Sequence, residues 1–149
     1  MRFDRLKMTD IETIAPRLFD VASIAAMRRD GWVDMVGRSV CSMSLVDAGV
    51  SKAAGGIIPM WQGVGHAWML IGDGLTRRQH GMVFHKAEEM LTVAHLSHGL
   101  RRIQCDVRMD FAAGHRFALW LGFEDEGVLR RYSPDGADHV MYSRIVEAR

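Results

Sequence analysis

The feature that most narrows what this chain can fold into is a long proline-free helical stretch set between two short strand-like runs. After Asp73-Gly74, the residues Val83, Ala87, Met90, Leu91 and Ala94 recur at helical spacing, which makes one apolar stripe for burial against a core. Lys86, Glu88 and Glu89 fall on the wet side, and Gly99 stands where a left-handed residue ends a helix. Residues 66–71 precede this helix and residues 102–107 follow it, the latter with Ile103, Cys105 and Val107 in alternation. Two strands separated by a full helix cannot form a hairpin, so they are expected to lie parallel and adjacent, joined by a right-handed crossover.

Around that unit the pattern is antiparallel. Residues 40–46, 53–60 and 66–71 have strand character and are separated by Asp47-Ala48-Gly49 and Gln62-Gly63-Val64-Gly65, the short glycine turns of a meander. Phe3, Leu6 and Met8 suit a first strand, and Thr9-Asp10-Ile11-Glu12 has the form of a capping box. A main helix is expected over residues 16–29, with Leu18, Val21, Ala22 and Ala25 as its stripe and Gly31 at its end. A shorter helix over residues 112–121 stops at Gly122, and two last strands near 127–132 and 139–146 are joined by Ser133-Pro134-Asp135-Gly136. The expected class is α/β (α+β), with one mixed, mostly antiparallel sheet, a central parallel pair and flanking helices. At 149 residues with no repeat or linker, residues 1–149 read as a single domain.

Charge and cysteine content exclude several functions. The formal net charge of +1 offers no field to gather nucleic acid or an anionic membrane surface. Cys41 and Cys105 are too few for a disulfide framework and lack zinc-ligand spacing. No apolar run approaches the roughly 18 residues of a membrane span. The expectation is a cytoplasmic protein that binds neither nucleic acid nor membrane and holds no metal.

Two motifs stand out within the expected architecture. Arg78-Gln79-His80-Gly81-Met82-Val83 opens the long helix, and Phe117-Ala118-Leu119-Trp120-Leu121-Gly122-Phe123 closes the later one. With the element order, they resemble the GNAT superfamily, whose members bind acyl-CoA where the fourth and fifth strands splay apart. The first motif is similar to that superfamily's R/Q-x-x-G-x-G/A pyrophosphate loop, with Val83 where a small residue is usual. A looser resemblance, on His115-Arg116-Phe117, Gly122 and Tyr132 with Asp135-Gly136, is to small GNAT-like phage proteins of T7-like phages, some of them virion components. The first resemblance implies an N-acetyltransferase that moves acetyl from acetyl-CoA to a primary amine of a small molecule or protein. The second implies a phage-encoded protein acting in the host cytoplasm or virion through contacts with a phage or host protein, catalytically inactive in the limiting case.

The site residues follow from these expectations. A pyrophosphate needs converging N–H donors and positive charge, and Arg77, Arg78, Gln79, His80, Gly81, Met82 and Val83 lie at a helix start that supplies both. The competing structural role is a T-x-x-Q capping box, Thr76 to Gln79, that uses the same amides itself. The resemblance places Trp68, Met69 and Leu70 along the pantetheine arm, bound through their main chain. Acyl transfer to an amine also needs proton-transfer groups. His66 and Asp106 are candidates for the base, and His115 for the acid, because Ala118 occupies the position where the family often has a tyrosine. His95-x-x-His98 has chelating spacing but no acidic or thiol partner, and Cys105 reads as a small buried residue. Trp32 and Trp61 are expected to be exposed, and loops 30–38 and 134–139 to select the acceptor. Asp135 is expected to matter more for partner choice than for stability.

Overall fold

In the computed structural model, residues 1–14, 25 and 31–147 are described. In chain order the elements are β1 (Arg2–Arg5), α1 (Met8–Thr13), α2 (Trp32–Gly37), β2 (Val40–Asp47), β3 (Val50–Trp61), β4 (Val64–Ile71), α3 (Arg77–His98), β5 (Arg102–Arg108), α4 (Ala112–Trp120), β6 (Glu124–Leu129) and β7 (His139–Ile145). The strands form one sheet in the order β1-β2-β3-β4-β5-β7-β6. Every neighbouring pair is antiparallel except β4 and β5. The mixed sheet with its central parallel pair is as expected from the crossover helix, while the insertion of the last strand beside β5, with its predecessor at the edge, is a feature the sequence reading did not specify.

Strand alternation divides the side chains between two faces. Ile103, Val140 and Tyr142 from the sheet join Ala87, Leu91 and Ala94 of α3 and Ala118 of α4 in the largest core cluster, with Ala67, Met69, Cys105 and Val107 packed against it. On the opposite face Ile11 of α1, Val36 of α2 and Ile58 of β3 form a second cluster, joined by Trp68 and Leu70. Residues of one parity on β4 and β5, including His66 and Asp106, therefore face the side that carries α1 and α2.

Several local expectations are corrected. Met8 belongs to α1, and the helix is capped two residues earlier than the Thr9 motif suggests: the Lys7 N–H donates to Asp10 Oδ2 at 2.8 Å. Asp10 is then held from the sheet by the Ser44 and Ser51 hydroxyls, at 2.9 and 2.6 Å. Within the stretch expected as loop 30–38, the described part is largely helical: α2 occupies Trp32–Gly37, opened by Gly31 in the left-handed region at φ 80°. The helix expected over 16–29 lies outside the described residues apart from Ala25, which is helical and exposed. Among the described residues no helix is long and apolar enough to cross a membrane.

Candidate active site

The parallel seam is short. Val64, Gly65 and His66 pair with Arg102, Ile103 and Gln104, and there the pairing stops. β4 continues to Ile71 paired with β3, from Ala67 opposite Ile57 to Ile71 opposite Ala53. β5 continues to Arg108 paired with β7. Each strand stays attached to its own antiparallel neighbour and leaves the other, so a gap opens toward their C-terminal ends. Over Ala67 to Ile71, a stretch that includes Trp68, Met69 and Leu70, β4 is laddered to β3, and among the described residues its ladder to β5 ends at His66. Trp68 is fixed from the other direction, its indole N–H donating to Ser39 Oγ at 2.7 Å.

The start of α3 follows the end of β4 within a short loop. Its Thr76 hydroxyl accepts from the Gln79 amide at 3.2 Å, and Gln79 Oε1 accepts from the Thr76 amide at 2.8 Å. The capping box is therefore formed. Gln79 is also buried and donates through Nε2 to Asp47 at 3.0 Å, so its side chain is used within the fold. Val83 points into the core, and Met82 packs on the edge of the same cluster. Arg77, Arg78 and His80 are exposed, with the His80 ring Nδ1 placed 3.0 Å from the Thr76 carbonyl. The Arg77 and Arg78 amides lie in the first turn, where no intrahelical acceptor exists. Space beside Gly81 is open, since a Cβ built there meets nothing within 4 Å. Of the sequence candidates, the arginines, His80 and Gly81 present themselves outward, while Gln79 and Val83 do not.

At the root of the gap, adjacent strands each contribute one ionisable side chain. His66 Nε2 lies 3.0 Å from Asp106 Oδ1, and His139 Nδ1 lies 2.7 Å from Asp106 Oδ2. Burial opposes ionisation of Asp106, but the hydrogen bonds from His139 and His66 outweigh it and hold the carboxyl well below the usual carboxylate range. An ionised carboxylate only accepts, so both rings donate: His66 through Nε2 and His139 through Nδ1. The nitrogens aim at the carboxylate and not at a common point, and among the described residues no cluster of histidine, cysteine, aspartate or glutamate is arranged for a metal. Tyr132, about half exposed, lays its ring 5.2 Å from that of His139. Partial burial, with the nearby Asp106 charge, pushes its phenol up.

His115 is placed differently. Its Nε2 lies 3.1 Å from the Met109 carbonyl and donates, so in the neutral ring Nδ1, 2.8 Å from the hydroxyl of buried Tyr142, accepts. Both ring nitrogens are engaged within the fold, one by the residue that follows β5 and the other by β7, which ties α4 to the sheet. Ala118 is buried in the main core. Cys105 is also as expected for a packing residue, its thiol pushed up to about 12 by burial and the Asp106 charge. Trp61 is 63% exposed, and the Trp32 side chain lies outside the described residues. Sequence reading found His66 and Asp106 by position but missed His139. The available signal was a histidine opening a strand whose alternate residues face the same side as Asp106.

No protein-family model matches the chain, and no curated protein matches it. Solved structures do. A ribosomal-protein-alanine N-acetyltransferase from Brucella melitensis superposes with a TM-score of 0.70 at 12% identity, covering 98% of this chain and 100% of that one. A GNAT-family acetyltransferase from Bacillus anthracis gives 0.68 at 12% identity, covering 96% and 93%. An aminoglycoside 6'-acetyltransferase type Ii gives 0.69 at 15% identity, covering 100% and 99%.

Proposed function

We propose that this chain, which has the GNAT acetyltransferase fold, is an N-acetyltransferase that moves acetyl from acetyl-CoA to a primary amine. The observation that carries the reading is the parting of β4 from β5 after His66 and Gln104, which leaves a main-chain edge for an extended arm to pair with. The residues fit such a donor. The strand edge at Trp68, Met69 and Leu70 would bind the pantetheine arm, and the first amides of α3 with Arg77 and Arg78 would bind the phosphates. Gly81 leaves room for them. Capping of the Gln79 amide by Thr76 confines that role to fewer amides than the sequence suggests.

The chemistry assigned to this chain is proton handling and charge stabilisation. An amine enters as ammonium and must lose a proton before its lone pair can attack the thioester carbon. His66, with Nε2 donated to Asp106, keeps Nδ1 as its basic nitrogen and takes that proton. The C–N bond forms, a main-chain N–H near Trp68 to Leu70 stabilises the oxyanion, and the C–S bond breaks. Of the two protons the nitrogen gives up, one ends on the thiolate sulfur and the other in solvent. Asp106 holds the ring in place. Both small-molecule and protein amines remain acceptors to be tested, as the two kinds of name among the structural neighbours suggest.

The deciding measurement is the melting temperature with and without acetyl-CoA, followed by release of free thiol on a panel of amines. A ligand bound only by the folded state stabilises it by about 2.7 kcal/mol at 100 times its dissociation constant. Absence of any shift at millimolar ligand would overturn the enzyme reading and leave its rival, a silent virion or assembly protein of this fold.

A further inference from the structure

We infer that His139 is a positioning residue: by donating Nδ1–H to one oxygen of Asp106 it pins the carboxylate so that the other oxygen takes the Nε2–H of His66, leaving Nδ1 as that ring's basic atom. The inference rests on the acetyltransferase reading for its chemical meaning but on geometry alone for its substance. β4, β5 and β7 are consecutive in the sheet, and each supplies one member of the chain His66, Asp106, His139. The two bonds, 3.0 and 2.7 Å, use different oxygens of the same carboxylate. Asp106 stands two residues beyond the last pair of the β4–β5 ladder, which is His66 with Gln104. No ladder bond there fixes the relation of the two side chains, so the carboxylate's own orientation must do it.

His139 is suited to hold that orientation. It is only 8% exposed, its strand is paired with β5 from Arg102 to Arg108, and Tyr132 covers its ring at 5.2 Å. Its Nε2 is buried without a hydrogen-bond partner among the described residues. A buried nitrogen left unsatisfied is a cost, accepted here while the other nitrogen serves Asp106. A ring flip would lose that bond, so His139 has one useful orientation.

The test reads the ring protons directly in the full chain. Imidazole N–H protons held against a buried carboxylate are protected from exchange and resonate far downfield. ¹⁵N-edited spectra of the wild type should show two of them, from His66 and His139. In His139→Leu the His66 signal should vanish along with that of the deleted ring, whereas His139→Asn, whose side-chain amide can still donate to Asp106, should retain it. Survival of the His66 signal in the leucine variant would overturn the inference. If the leucine variant does not fold, its asparagine counterpart decides, and loss of the His66 signal there would be equally fatal. The acetyl-CoA melting shift measured on the same samples should persist in both variants. A wild type without that shift would sink the acetyltransferase reading, while the spectra would still decide the role of His139.

Discussion

Asp106 Oδ1 stands 3.0 Å from His66 Nε2, joining by side chains two strands whose main chains have just separated. Because the Asp106 carboxyl is held well below the usual carboxylate range by His139 and His66, its bonds contribute stability that is fully present above the unfolded carboxylate value. That contribution is lost as pH falls through the folded value. Asp106→Asn should therefore lower stability by about 2 kcal/mol at pH 7 and flatten the decline between about pH 4 and pH 2. Chemical denaturation across that range checks both, and parallel curves for the two proteins would exclude the linkage.

Under the proposed acetyl-CoA site at the start of α3, a substitution at Gly81 would separate ligand binding from folding. Its missing Cβ would meet nothing within 4 Å, and glycine within a helix costs about 0.5–1 kcal/mol relative to alanine. Gly81→Glu should leave the free protein as stable as before, or slightly more so, while its charge facing the phosphates abolishes the melting shift with acetyl-CoA. Arg78→Ala should reduce the shift without removing it.

Thr76 is expected to matter for stability alone. Its hydroxyl caps the Gln79 amide, so Thr76→Ala should cost about 1 kcal/mol, read as a lower denaturation midpoint with an unchanged slope.

Tyr142 tests the placement of His115. Its hydroxyl donates to Nδ1, 2.8 Å away, in a buried setting, and Tyr142→Phe leaves that nitrogen unpartnered at a cost of about 1–2 kcal/mol. Acetyl-CoA affinity should be unaltered. A large loss of acetyl transfer at unchanged stability would return His115 to the candidate acids.

Asp135 is bonded within its turn by the Ser133 hydroxyl and to Arg108 Nη1 at 2.6 Å, and these bonds lower its carboxyl to about 2. Asp135→Ala is accordingly expected to lower the melting temperature at neutral pH, with the difference from wild type shrinking as pH falls toward 2. The sequence-based expectation, a residue that serves partner choice and hardly affects stability, makes the opposite forecast, and thermal denaturation of Asp135→Ala decides between the two.

What could be read in the sequence follows physical range. The α3 stripe and its cap, Thr76 to Gln79, are set by neighbours along the chain, and they appear as expected at Arg77–His98. From that helix alone the parallel seam could be anticipated, while its opening was implied by the resemblance to the GNAT superfamily. Three-dimensional neighbours were another matter. His139 meets Asp106 only because β7 inserts between β5 and β6, an order that no local pattern encodes. Likewise Thr9 to Glu12 has the right spacing for a cap, yet Asp10 prevails because Ser44 and Ser51 of the sheet hold it.

The gap beside β4 is made of an interruption in main-chain pairing. A slot cut from peptide groups is indifferent to which side chains stand around it, provided the strands on either side keep their own partners. Substitution can pass over most of such a surface and leave the slot standing. Shapes agreeing to a TM-score of 0.70 at 12% identity are what that indifference permits, and chemical individuality is then left to the few side chains, His66 and Asp106 among them, that reach across it.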